Sequence, residues 1–204
     1  MKNPSLTSWS KITKNGIWKD GETTLHFNEN EEPASKLKAA YQELGLSYPK
    51  FFKMDGLCKL GLLASELLLT KTLKEKYKDD EIAVLLSNSQ SSLQSDADHV
   101  KQYSESSASP AIFVYTLPNI VVGEICIRHK LLGESNFYIF ESFRSNQLLE
   151  QASLLMSTTT TKACLAGWVE YFENTFEAVF FLFEKEGKNP ATSQILETIK
   201  DTPY

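Results

Sequence analysis

The stretch SPAIFVYTLPNIVVGEICIRHKLLGESNFYIFESFRS, residues 109–145, decides how the rest of the chain reads. Ser109-Pro110 is a helix-start signal, because proline lacks an N–H that the first helical turn would leave unbonded anyway. Two helical pieces are predicted, broken near Pro118, with the second running from Asn119 to about Lys130 and ended by Gly133. Phe137–Phe140 (FYIF) is short, apolar and aromatic, which predicts a strand. Ser142 then falls between that strand and a predicted helix from about Asn146 to Met156. A strand-to-helix turn exposes a side chain near helix N–H groups that stabilise anions, a common seat for nucleophiles, but a serine there is equally a good helix cap.

Upstream, EIAVLL (Glu81–Leu86) predicts a strand buried on both faces. Residues 51–76 predict one long apolar helix, since its leucines cover more than one stripe. A helix over Ala34–Leu44 opens at Pro33, and Asn15-Gly16 and Asp20-Gly21 mark turns between short N-terminal strands. The serines of SNSQSSLQSD and Asp96 are set to cap a helix reaching about Tyr103. Downstream, Ala163–Val169 and Ala178–Phe183 predict two strands, close enough in sequence to pair antiparallel, and NPATSQILETIK a last helix capped by Asn189. Strands alternating with helices predict an α/β fold, a mostly parallel mixed sheet covered by helices, in a single domain over 1–204.

The chain has 204 residues, 42% hydrophobic, with a net charge of −5. Its mild acidity gives no broad attraction for phosphate backbones, so nucleic acid is not an expected partner. No apolar run is long enough to span a bilayer, and the N-terminus has no signal-peptide core. Cys58, Cys126 and Cys164 form no CxxC pair and read as buried reduced thiols, which places the chain in the cytoplasm. His26, His99 and His129 are isolated, with no ligand spacing for a metal, and His129 reads as a surface or interface imidazole. No GxGxxG, P-loop, HExxH or GxSxG is present, so neither metal nor cofactor is expected.

Residues 109–135 resemble the β-ketoacyl synthase stretch SP-x-F-x-x-x-x-x-x-N-x-x-x-G followed ten residues later by Gly, with Ser109, Pro110, Asn119, Gly123 and Gly133 in place. KACLAGWVEY resembles the strand that family writes as DxxxxGGxE, matching at Gly167 and Glu170. KMDGLCKLGLLASELLL, EIAVLLSNSQSSLQSD and EAVFFLFEKE resemble the family's long N-terminal helix, the strand and loop after it, and the strand GAxxxxLE. The resemblance covers about residues 48–186, in order, and implies the N-terminal half of a thiolase-type fold.

Three departures qualify the activity. The family's nucleophilic cysteine lies nine residues after the glycine matching Gly133, and Ser142 occupies that position, flanked by Glu141 and the bulky Phe143. A serine hydroxyl needs an adjacent base that a cysteine thiolate does not. The family's two histidines and lysine belong to a C-terminal half with no counterpart in these residues, and only six residues separate Glu170 from EAVFF where the family has a long loop. The resemblance therefore implies no catalytic residues. It implies a chain-length-factor-like pseudoenzyme in a heterodimer with a full-length β-ketoacyl synthase, in fatty-acid- or polyketide-type pathways such as those of aryl-polyene and flexirubin-like pigments. Acyl carrier protein would be met through that partner, and in isolation a homodimer through the same strand stays open. The family's pairing strand corresponds to Phe137, Tyr138, Ile139 and Phe140. Ala108, before Ser109-Pro110, and Phe143 would face the partner or its acyl pocket. A stand-alone acyl-chain or carrier-protein binding module, and a Ser142-dependent acyl hydrolase or transferase, stay open as alternatives.

Overall fold

The structure is a computed structural model that describes residues 3–105 and 110–203. Seven strands form one sheet: β1 (Ser5–Thr13), β2 (Gly16–Lys19), β3 (Glu22–His26), β4 (Ile82–Asn88), β5 (Ser135–Ile139), β6 (Ala163–Phe172) and β7 (Thr175–Glu184), in the order β3-β2-β1-β7-β6-β4-β5. The helices are α1 (Pro33–Glu43), α2 (Gly56–Glu66), α3 (Lys71–Lys76), α4 (Leu93–Ser104), α5 (Pro110–Val114), α6 (Ile120–His129), α7 (Ser145–Thr158) and α8 (Ser193–Asp201).

β4 is buried at all seven positions and alternates between two cores, as a strand of period two must when both faces are covered. Ile82, Val84 and Leu86 face α2 and α6 together with Leu60, Leu63, Val121 and Ile125. Ala83 and Leu85 face α7 and α8 together with Leu149, Ala152, Met156 and Leu196. The sheet is mixed, as expected, but its parallel part is confined to β5-β4-β6. The other four pairings are antiparallel; for β1–β2, β2–β3 and β6–β7 the short connections require it, since a parallel pair needs a crossover. Asp20 and Gly21, both at positive φ, make the tight turn between β2 and β3.

Three local expectations are corrected. The apolar run after residue 55 is not one helix: α2 stops at Glu66, buried Leu67, Leu68 and Leu69 form a turn, and the Thr70 hydroxyl starts α3 by accepting the Leu73 N–H at 3.3 Å. Apolarity marked burial there, while the cap decided where a helix begins. Gly133 does not end α6; Lys130, in the left-handed region at φ 56°, does. Finally, α8 is capped by Thr192, whose hydroxyl accepts the Ile195 N–H, since Asn189 and Pro190 are drawn alongside β1, where the Leu6 N–H donates to the Asn189 carbonyl at 3.0 Å.

Candidate functional site

Among the described residues β5 lies at the end of the sheet and pairs only with β4, from Val84↔Ser135 to Asn88↔Ile139, without a register shift. The Val84 N–H donates to the Glu134 carbonyl and the Phe140 N–H to the Asn88 carbonyl. In a parallel ladder the residues that bond one neighbour alternate with those that do not, so Ser135, Phe137 and Ile139 present their N–H and C=O groups to the open edge. The side chains there are large and apolar. Phe137 packs partly on the α2/α6 core and Tyr138 on the α7/α8 core, while Ile139 is 50% exposed. Tyr138 and Phe140, two residues apart on one face, stack with centroids 5.6 Å apart. What brings the strand onto β4 is Gly133: a Cβ there would lie 2.3 Å from the Ile82 carbonyl oxygen, so only glycine allows this approach.

The chain turns after Phe140 through Glu141 and Ser142, both exposed. α7 begins at Ser145 with Arg144 at its cap position, so Ser142 lies short of the helix and does not cap it. Phe143 turns inward and is half-buried, its ring 6.1 Å from those of Trp168 and Phe181. Ala108 lies outside the described residues.

A serine at that corner would need a base, and among the described residues no hydrogen bond joins Ser142 to a histidine. His26 lies edge-on to Trp18 and His99 against Phe113. His129, read as a surface or interface residue, is only 6% exposed: it sits between α2 and α6, with Nε2 3.3 Å from the Ser65 hydroxyl and 3.7 Å from Glu66. Burial pushes its pKa down to about 4. Hydroxyl and carboxylate approach the same ring nitrogen, so this trio cannot relay a proton as a catalytic triad does. All three thiols have pKa values raised by burial, which leaves them protonated and unreactive. Among the described residues no cluster of histidine, cysteine and carboxylate side chains could hold a metal ion.

Sequence reasoning missed a second feature. Val100 and Tyr103 on α4, Phe113 and Val114 on α5, and Leu117 after it are all exposed. Val100 and Tyr103 are three apart, hence on one helical face, and that spacing was the available signal. α4 follows the carboxyl end of β4 and Ser142 follows that of β5, so with β4 and β5 parallel both features lie at the same end of the sheet. Beneath them, Ser89 donates from its N–H and its hydroxyl to Glu170 Oε1, each at 2.5 Å, tying the loop after β4 to β6.

No family model matches the chain, and no curated protein matches it. Solved structures do. The ishigamide ketosynthase/chain length factor superposes with a TM-score of 0.68 at 20% identity, over 89% of this chain and 62% of that one. The fold is that of the ketosynthase/chain length factor structures. A complex of the ketosynthase ApeO with its chain length factor ApeC from Xenorhabdus doucetiae matches with a TM-score of 0.59 at 15% identity, over 98% of this chain and 92% of that one. The ketosynthase AntDE in complex with the acyl-carrier protein AntF matches with a TM-score of 0.65 at 14% identity, over 91% and 63%. This chain thus spans less than two thirds of the ishigamide and AntDE:AntF chains it matches, but is nearly as long as the matched chain of the ApeO–ApeC complex. Among the described residues no helix is long and apolar enough to cross a membrane.

Proposed function

We propose that this chain, as one domain, is a non-catalytic chain-length-factor-like subunit. It pairs through β5 with a full-length β-ketoacyl synthase in fatty-acid- or polyketide-type biosynthesis, the aryl-polyene and flexirubin-like pigments included. The observation that carries this reading is the bare aromatic edge of β5 on a ketosynthase/chain-length-factor fold. An edge strand of this kind is covered in stable soluble proteins. The exposed apolar residues of α4 and α5 supply further surface suited to the same partner. Ser142, exposed at the nucleophile position with no histidine hydrogen-bonded to it among the described residues, supports a subunit that shapes a partner's site instead of doing chemistry. Acyl carrier proteins of these pathways are acidic, and a chain of net charge −5 is better suited to meeting them through the partner than directly.

The test is co-expression of the tagged chain with a full-length β-ketoacyl synthase from the same genome, read by size-exclusion chromatography with light scattering. A one-to-one complex is expected. The isolated chain should show neither decarboxylative condensation of acyl and malonyl thioesters nor thioester hydrolysis that Ser142→Ala abolishes. Failure to form a complex, or turnover by the chain alone, overturns the reading.

A further inference from the structure

α8 lies on the sheet with little apolar anchorage. Of its nine residues Leu196 is buried, in the core it shares with Leu149, Phe181 and Phe183. Ile199 packs there in part, and Ile195 is exposed. A helix this short is not stable by itself in water, so its contacts must hold it. Most of them are polar. At its start the Ala191 N–H donates to the Pro4 carbonyl at 2.8 Å, and the Asn3 side chain donates to the Ala191 carbonyl at 3.1 Å. In its middle Glu197 Oε1 accepts the hydroxyl of Ser145, the first residue of α7, at 2.6 Å.

At its end stands Lys11 of β1, only 3% exposed. The ammonium donates to the carbonyls of Ile199, Lys200 and Thr202 at 3.2, 2.6 and 2.8 Å. The end of a helix leaves such carbonyls unbonded, and three of them match the three N–H donors of a lysine. A cation there also meets the negative end of the helix dipole. Glu177 of β7 lies 3.8 Å from the same ammonium and pairs with Lys200 at 2.8 Å. The sheet beneath does not depend on these contacts: β1 is paired on both sides, with β2 and with β7, through backbone ladders that α8 does not enter. α7 keeps Leu148, Leu149, Ala152 and Met156 buried, an apolar anchorage that α8 lacks.

We infer that α8 is a strap, latched by Lys11, that lifts off as a unit while the seven strands stay paired. Closed, it covers the layer around Phe181 and Phe183 and holds the Ser145 hydroxyl at the first turn of α7. Open, it bares that layer and frees the start of α7, three residues past Ser142. Access to the layer is then set by the latch and not by the stability of the sheet.

The experiment is native-state amide hydrogen exchange on the whole chain, read by NMR across low urea concentrations. Amides of α8 should exchange at least about tenfold faster than those of β4, and with a smaller urea dependence, because lifting a strap exposes less surface than unfolding the sheet. Lys11→Met keeps the stem and removes the ammonium, and should speed α8 exchange by about tenfold or more; Ser145→Ala should speed it by about threefold. Val84→Ala, on the sheet face away from α8, should speed β4 exchange and leave α8 rates unchanged, since the sheet is intact when the strap opens. One urea slope shared by α8 and β4, α8 rates unmoved by Lys11→Met, or α8 rates that rise with Val84→Ala would each overturn the inference. The urea slopes need no variant, so they decide the matter even if Lys11→Met does not fold. Binding of a synthase is measured separately and is touched by none of these outcomes.

Discussion

At one end of the sheet lies β3, Glu22–His26, and at the other β5, Ser135–Ile139, each five residues long and each with one side of its backbone unpaired among the described residues. β3 shows water Glu22, Thr23, Thr24 and His26, and its ladder with β2 shifts register between Ile17 and Trp18. Polar side chains and an irregular ladder are how an edge is kept from recruiting another strand. β5 has a regular ladder and ends in a run of aromatic and branched residues. Backbone chemistry is the same at both ends, so the side chains mark β3 as an edge to stay bare and, on the proposed reading, β5 as one to be covered.

The largest effect should come from Gly133→Ala. The added methyl would meet the Ile82 carbonyl oxygen at 2.3 Å, and a backbone carbonyl at the head of a central strand cannot swing aside. A loss of about 3 kcal/mol is expected in urea unfolding, and β5 should lose amide-exchange protection before β3 does. If both edges loosen equally, β5 does not depend on this approach. Next is Tyr138→Lys, which sets a charge in the proposed pairing edge and should weaken binding of a β-ketoacyl synthase by about a hundredfold or more in a titration. The same substitution at Thr24, on the bare edge, should leave that Kd unchanged and stability within about 0.5 kcal/mol.

A smaller effect probes the core that carries β5. His129 is held neutral between α2 and α6, its pKa depressed from 6.5 to about 4. The unfolded chain therefore takes up the proton first. Stability is full above about pH 6.5 and falls as pH drops toward 4, by roughly 2 kcal/mol at pH 5. His129→Gln should flatten that slope in urea titrations at several pH values. An unchanged slope would assign the acid sensitivity to other groups.

Much of the fold was legible in particular residues. Glu81–Leu86 read as a strand buried on both faces because nothing polar interrupts it, and β4 is buried throughout. Asp20-Gly21 read as a turn because both residues tolerate positive φ, and they adopt it. Other features hid behind competing signals. Leu67–Leu69 looked helical because apolar runs do not distinguish a buried turn from a buried helix. His129 looked like a surface residue because Arg128 and Lys130 flank it, yet a helix sends neighbours to different faces, and only the packing of α6 on α2 buried this one. Gly133 was singled out as a motif match and as the stop of α6, and the second reading was wrong. Its role is contact with Ile82, some fifty residues away in sequence.

By itself the sequence determined what local chemistry controls: the period of each strand, most helix starts, the serine where the ketosynthase pattern has its cysteine, and a glutamate on either side of an aromatic strand. Tertiary structure alone decided that this strand is an edge. That depends on β1 pairing with β7, as in Trp9↔Phe181, and on β4 lying between β5 and β6, contacts between segments far apart in the chain. Whether a strand has one neighbour or two is set by which remote segments reach it first, and no local pattern of side chains records that.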